Sequence, residues 1–241
     1  MDKTVPRGTL KGKLTPPCSK SYAQRALALA LLADGESTLR NIEFCNDTLS
    51  AIKCIEALGA EVRRTGETTL SIRGGFSPRD NVLNVGESGL ATRLFTPIAA
   101  LWDKPVVITG EGTLLHRPMT MMMEPLRHLG VAVRDGGGYL PIEVCGRMHG
   151  GRIEVDGSIS SQFITGLLLA LPMAEGDTTL KVHGAVSTPY IDMTVETAER
   201  FGGRILHSDY TEFFIEGGQR YTPADYAIEG DWGAAAMLLV A

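Results

Sequence analysis

Three short serine-rich loops carry the residues whose types and spacing could do chemistry. They read Pro17-Cys18-Ser19-Lys20-Ser21, Glu87-Ser88-Gly89 and Ser158-Ile159-Ser160-Ser161-Gln162, and each opens an apolar run of helical length. A helix start leaves backbone N–H groups unpaired and carries the positive end of the helix dipole, so it attracts anions. Cations stand beside these starts: Lys20 and Arg25 at the first, and Arg93 one turn beyond Gly89 at the second. Gln162 adds a side chain that both donates and accepts. Two further expected helix starts bring Arg117 before Pro118, and Ser187 before Pro189-Tyr190, with proline preorganising the first turn. The chemistry this set fits is the gripping of phosphate or carboxylate. Singly, each feature also has a plain reading: Ser-Lys-Ser as a capped helix start, Ser160-Ser161 as an N-cap, Arg117 as a solvated loop residue. Arg25 is harder to explain that way, because an arginine inside an apolar helix needs an anionic partner.

Other chemistries fit poorly. The histidines, at 116, 128, 149, 183 and 207, form no H-x-x-H pair, and Cys18, Cys45, Cys54 and Cys145 form no C-x-x-C pair. A metal site is therefore not expected. Cys18 precedes a helix start, which lowers a thiol pKa, but no histidine is near it and a buried small apolar role suits it better. Gly136-Gly137-Gly138 lacks the strand before and helix after of a nucleotide loop and reads as a hairpin turn. The methionines of 119–123 read as core filling. A net charge of -5 argues against nucleic acid. The opening ten residues hold no apolar signal region, and the longest apolar run, Ala26 to Ala33, is too short to span a bilayer. The expectation is a cytoplasmic protein with reduced thiols and no nucleic-acid or membrane partner.

The elements that position these loops repeat. Glu56-Ala57-Leu58-Gly59, Arg127-His128-Leu129-Gly130 and Glu199-Arg200-Phe201-Gly202 each end a helical pattern on a glycine suited to a left-handed C-cap, at spacings of 71 and 72 residues. Ser19, Ser88 and Ser160 recur at spacings of 69 and 72. The helices after them, RALALALLA, LATRLFTPIAAL and QFITGLLLALPMA, are apolar nearly all round and should be buried. Each precedes a strand pattern, a more amphipathic helix and a strand pair. The chain thus reads as α/β, with three βαβαββ units of roughly seventy residues packed around buried helices, sheets outside. Equivalent loops of three such units converge on one face, which turns three weak anion signals into one polyanion site. At the end, Glu229-Gly230-Asp231 leads into an apolar helix from Ala234 to Ala241 with no stop signal, read as a buried helix awaiting more chain.

The same residues carry a family resemblance. Pro17-Cys18-Ser19-Lys20-Ser21-x-x-x-Arg25-Ala26-Leu27 resembles the opening P-G-S-K-S-x-x-x-R-A-L of the EPSP synthase (3-phosphoshikimate 1-carboxyvinyltransferase) family. Gly89 to Arg93 resembles its G-T-A-M-R, His116-Arg117-Pro118 its E-R-P, Ser160 to Phe163 its S-S-Q-F, Ser187 to Thr194 its S-K-P-Y-I-D-x-T, and Glu229 to Asp231 its E-G-D. The resemblance implies two similar domains of three βαβαββ units. This chain would hold the N-terminal one over 14–226, with repeats at about 14–80, 81–150 and 151–226; segments 1–13 and 227–241 would belong to the second domain or the hinge. It further implies transfer of the enolpyruvyl group of phosphoenolpyruvate to the 5-hydroxyl of shikimate 3-phosphate, without metal or organic cofactor, in a fragment that binds but does not turn over alone. By the same resemblance, shikimate 3-phosphate is held by Lys20, Ser21, Arg25, Ser160, Ser161, Gln162, Ser187 and Tyr190. Phosphoenolpyruvate is held by Lys20, Gly89, Arg117 and Gln162, with Lys20 catalytic. Cys18 stands where the family has glycine, His116 where it commonly has glutamate, and Trp232-Gly233 where it has small residues. Two alternatives stay open. The related enzyme that uses UDP-N-acetylglucosamine carries K-N in place of Lys20-Ser21 and a loop cysteine with no match here. The other is an anion-binding module without catalysis.

Overall fold

A computed structural model describes residues 8, 11–13 and 15–240. The opening segment assigned from sequence to a hinge or second domain lies mostly outside these residues, as does Ala241.

Three units follow one another. The first runs α1 (Lys20–Leu32), β1 (Glu36–Arg40), α2 (Asn46–Ala57), β2 (Glu61–Arg64) and β3 (Leu70–Arg73). The second runs β4 (Val82–Asn84), α3 (Gly89–Ala99), β5 (Val106–Thr109), α4 (Met123–His128), β6 (Ala132–Asp135) and β7 (Ile142–Cys145). The third runs β8 (Arg152–Asp156), α5 (Ser161–Ala170), β9 (Thr178–His183), α6 (Thr188–Arg200), β10 (Leu206–Ser208) and β11 (Glu212–Ile215). After them come β12 (Asp225–Ala227) and α7 (Trp232–Val240).

Each unit builds a four-stranded sheet with the same wiring. The second and third sheets run β4-β5-β7-β6 and β8-β9-β11-β10. In each, the first pair is parallel and the other two pairs are antiparallel. The crossover between parallel strands is the buried helix, α3 or α5. The first sheet runs β12-β1-β3-β2, with β12 parallel to β1. The strand that completes the first unit therefore comes from beyond the third, across the expected boundary at 226. The chain beyond β12 continues this closure: Ser19 N–H donates to the Glu229 carbonyl and Asp231 N–H to the Pro17 carbonyl, both at 2.8 Å. This pins the start of α1.

The core is formed by α1, α3 and α5, each buried on nearly every side. Buried leucine side chains of this kind contribute about 1.5–3 kcal/mol each, and α1 alone buries Leu27, Leu29 and Leu31 completely. Their N-caps are the three serines read from sequence. Ser19, Ser88 and Ser160 accept from the N–H groups of Tyr22, Ala91 and Gln162 at 3.4, 3.2 and 3.2 Å. Helices α3 and α5 approach so closely that a Cβ on Gly166 would lie 2.1 Å from the Arg93 carbonyl oxygen. Gly59, Gly130 and Gly202 all hold positive φ after their helices. The triple glycine forms the β6–β7 hairpin, and Met119, Met122 and Met123 lie in the core.

One expectation needs correction. Pro118 does not open a helix: it sits between one-turn 3-10 stretches, Gly112–His116 and Thr120–Met122, and α4 starts only at Met123. Proline disfavours helical backbone in the residue before it, and Arg117 is extended at φ -90°, ψ 128°. Met119 N–H then donates to the Gly138 carbonyl at 2.7 Å, tying this stretch to the hairpin instead. Helix α7, read from sequence as an apolar helix awaiting more chain, has no cover among the described residues. Its first turn is capped by Asp231, which accepts from Ala234 N–H at 3.0 Å. Trp232, Met237 and Leu239 are nevertheless 74%, 77% and 78% exposed, because the described core ends at Ile228. No helix among the described residues is long and apolar enough to cross a membrane.

Candidate anion-binding site

The starts of α1, α5 and α6 meet at one cleft of about 300 Å³. Its polar wall is Ser21 and Arg25 from α1, Ser160, Ser161 and Gln162 from the start of α5, and Ser187 and Tyr190 from the start of α6. All seven were candidates from sequence. Leu90, Ile159 and Val186 supply an apolar rim that was not foreseen.

Arg25 forms the floor. It is 1% exposed. Its Nε donates to Thr194 Oγ1 at 2.9 Å, Nη1 to the Ser21 carbonyl at 2.9 Å, and Nη2 to Thr165 Oγ1 at 2.9 Å and the Tyr190 carbonyl at 3.0 Å. A guanidinium has five N–H donors, so four are satisfied and one on Nη1 remains. Every partner is neutral. Burial holds the Arg25 pKa down to about 10, with no carboxylate among the described residues offsetting it. Thr165 and Thr194, which cradle it, were not singled out from sequence. Each falls one helical turn after a site residue, Ser161 and Tyr190, and that i+4 spacing was the signal available.

The hydroxyls are poised. Ser187 caps α6 in the left-handed region, φ 55° and ψ 44°, and its side chain makes no capping bond. Such a conformation costs a non-glycine residue energy and concentrates at functional positions. Ser160 Oγ accepts from Gln162 N–H and keeps its own proton to donate. Ser161 is buried at 5% exposure.

A second cluster adjoins the first through Gln162. A Cβ built on Gly89 would lie 3.0 Å from Arg93 Nη1, 3.4 Å from Arg117 Nη1 and 3.8 Å from Gln162 Oε1. Gly89, Arg117 and Gln162 are therefore brought together, and the lack of a side chain at 89 is what leaves them room. Arg93 has its pKa lowered, first by burial and then by the charge of Arg117. Lys20 stands apart. It does not line the cleft; its Nζ pairs with Asp47 Oδ2 at 3.0 Å. That hydrogen bond, and then the charge of Asp47, raise the Lys20 pKa. Asp47 lies at the start of α2, and no sequence signal linked it to Lys20. Cys18 is buried, and burial raises its thiol pKa, as suits a packed residue.

A larger cleft, about 570 Å³, lies on the outer face of the third sheet between Arg152, Lys181, Glu154, Glu212 and Phe214. Its charges are of both signs and exposed, and Glu154 is already paired with His183 at 2.9 Å. Size favours it; chemistry favours the smaller cleft, where a buried cation has no anionic partner among the described residues. Among the described residues no group of three or more His, Cys, Asp or Glu could hold a metal ion. What the smaller cleft can do is bind an anionic molecule through a buried guanidinium and the hydroxyl and N–H groups of helix starts.

The chain is similar to known proteins in both sequence and fold. The family model described as EPSP synthase (3-phosphoshikimate 1-carboxyvinyltransferase) matches residues 5–241. A 3-phosphoshikimate 1-carboxyvinyltransferase of Methanococcoides burtonii is 39% identical over 100% of this chain and 58% of its own length. One of Proteus mirabilis is 36% identical over 96% of this chain and 56% of its own. The chain thus spans a little over half the length of these curated relatives. The fold is similar to that of an EPSP synthase from Acinetobacter baumannii, with a TM-score of 0.84 at 24% identity over 95% of this chain and 52% of that one.

Proposed function

The chain belongs to the EPSP synthase family, and from that premise we propose that its cleft is the shikimate 3-phosphate and phosphoenolpyruvate half-site of an enolpyruvyl transferase. The observation that carries this reading is Arg25. A permanent cation held at 1% exposure among neutral partners, with one N–H left over at a cleft, is completed by a ligand carboxylate.

In this reading the shikimate carboxylate meets Arg25 and Ser21, and Tyr190 lines the ring. The 3-phosphate meets Ser160, Ser161 and Ser187 at the starts of α5 and α6. Phosphoenolpyruvate lies across Gly89, Arg117 and Gln162, with Lys20 at its edge. The transfer forms a bond from the 5-hydroxyl oxygen to the enol carbon and, after addition across the alkene, expels phosphate. This chain's share is to place the hydroxyl against that carbon and to neutralise charge on the departing phosphate. Lys20 is the proton-handling candidate. Paired to Asp47, it stays protonated and serves as a cation or acid, not a base, until its proton is passed on. A second domain of the same enzyme is the proposed partner for closure, residues 14–226 acting as one domain. Four free thiols accord with a cytoplasmic setting.

The test is calorimetric titration of the chain with shikimate 3-phosphate and with shikimate. The phosphate ester is expected to bind at least roughly tenfold more tightly, since charge-assisted bonds contribute about 1.5–3 kcal/mol each. Equal affinities would overturn the phosphate assignment.

A further inference from the structure

Arg93 sits between the two subsites and belongs to neither set described above. It is 9% exposed, one turn into α3. Both N–H groups of Nη1 are used: one donates to the Gly89 carbonyl at 3.0 Å and one to Gln162 Oε1 at 3.1 Å. Its Nε is buried with no partner, and no carboxylate pairs with it among the described residues. Arg117, a like charge, is its charged neighbour. A surface arginine relieves such repulsion by swinging into water; Arg93 is held in place by packing and by the Gly89 and Gln162 oxygens.

The donor chemistry of guanidinium fixes something that geometry alone leaves open. Arginine has no acceptor, so the Gln162 amide atom 3.1 Å from Nη1 is the oxygen. The amino group of Gln162, the only donor of that amide, is then left for a ligand. The Gly89 carbonyl, whose negative end is the group least welcome beside an anion, is likewise occupied. We propose that Arg93 is a positioning residue of the phosphoenolpyruvate subsite: it holds the Gln162 amide with its donor toward the substrate and masks the Gly89 carbonyl, so that Gln162 and Arg117 face the anion together. This rests on the half-site reading above.

The test is a double-mutant cycle on the chain, with phosphoenolpyruvate and shikimate 3-phosphate as separate calorimetric probes. Arg93→Met and Gln162→Leu are each expected to weaken phosphoenolpyruvate binding roughly tenfold, as for loss of a charge-assisted bond. Because Arg93 acts through Gln162, the double variant should be no more than about twofold weaker than Arg93→Met. Arg93→Met should leave shikimate 3-phosphate affinity within about threefold, a selectivity that mere loosening of the fold would not give. Arg93→Lys, which keeps the charge and one donor toward Gln162, should recover part of the loss, and it carries the same cycle if Arg93→Met does not fold. A multiplicative loss near a hundredfold in the double variant, or equal loss for both probes, would overturn the inference while leaving the half-site reading intact. Binding of shikimate 3-phosphate but not of phosphoenolpyruvate by the unaltered chain would instead remove that subsite from the reading, and the inference with it.

Discussion

Replacing Arg25 by methionine separates binding from stability, and the structure sets the size of both effects. The fold lowers the Arg25 pKa from 12.5 to about 10. A lowered pKa in a cation means that the charged form is disfavoured in the folded state. The charge therefore costs stability at neutral pH, by about 3 kcal/mol, and that cost lifts only as pH rises from the folded value toward the unfolded one. Against it stand four hydrogen bonds, each contributing about 1 kcal/mol net. Their loss orphans nothing. Thr194 Oγ1 still donates to the Tyr190 carbonyl at 2.8 Å, and Thr165 and Thr194 still bond each other at 3.0 Å. The two sums nearly cancel, so Arg25→Met should shift stability by no more than about 2 kcal/mol, or about 5 °C in Tm for a chain of this size. Binding should behave otherwise. Removing one partner of a buried charge pair costs roughly 2–5 kcal/mol, a loss of about thirtyfold or more in affinity. Thermal unfolding followed by circular dichroism, together with titration by shikimate 3-phosphate, reads both quantities on one sample. A fall in Tm beyond about 10 °C with affinity intact would show that Arg25 is a structural strut and that the neutral cradle was misread.

Three further outcomes follow from the same geometry. Arg117→Ala should weaken phosphoenolpyruvate binding while sparing shikimate 3-phosphate, the reverse of Arg25→Met; a matching loss for both ligands in a calorimeter would merge the two subsites. Asp47→Asn should bring the Lys20 pKa down, since Asp47 is the first cause of its elevation. The alkaline fall in phosphoenolpyruvate affinity, lost as pH rises through the folded Lys20 value, should then move to lower pH, and an unmoved limb would exclude Lys20 from the subsite. Gly166→Ala should destabilise the chain by more than about 3 kcal/mol, because its Cβ would meet the Arg93 carbonyl oxygen at 2.1 Å on the rigid backbone of α3; a small change in the urea midpoint would mean that α3 and α5 can separate without cost.

Much of this molecule is written locally, and those parts are legible in the residues. The N-capping serines, the C-capping glycines and the all-round apolar helices each follow from near neighbours in sequence, and their recurrence yields the three units. The site serines and Arg25 were legible for the same reason, as helix starts with an unexplained cation. What was not legible depends on distant pairing. Strand β12 completes the first sheet from 187 residues away in sequence, and no local pattern names its partner. Asp47 meets Lys20 across 27 residues, and Thr165 meets Arg25 across 140. Pro118 misled because proline before an apolar stretch marks a helix start only when the chain is free to wind, and Met119 is tied to the hairpin instead.

Nuclear magnetic resonance of the arginine side chains reports where the ligand goes. Arg25 Nε–H is buried and hydrogen-bonded to Thr194, so it should exchange slowly and be visible on its own. Titration with shikimate 3-phosphate should shift this signal and the backbone amides of 160–162 and 187 together, saturably and with one stoichiometry. Shifts confined to the outer face of the third sheet, around Lys181 and Phe214, with Arg25 unmoved at saturation, would place the ligand outside the cleft of Arg25.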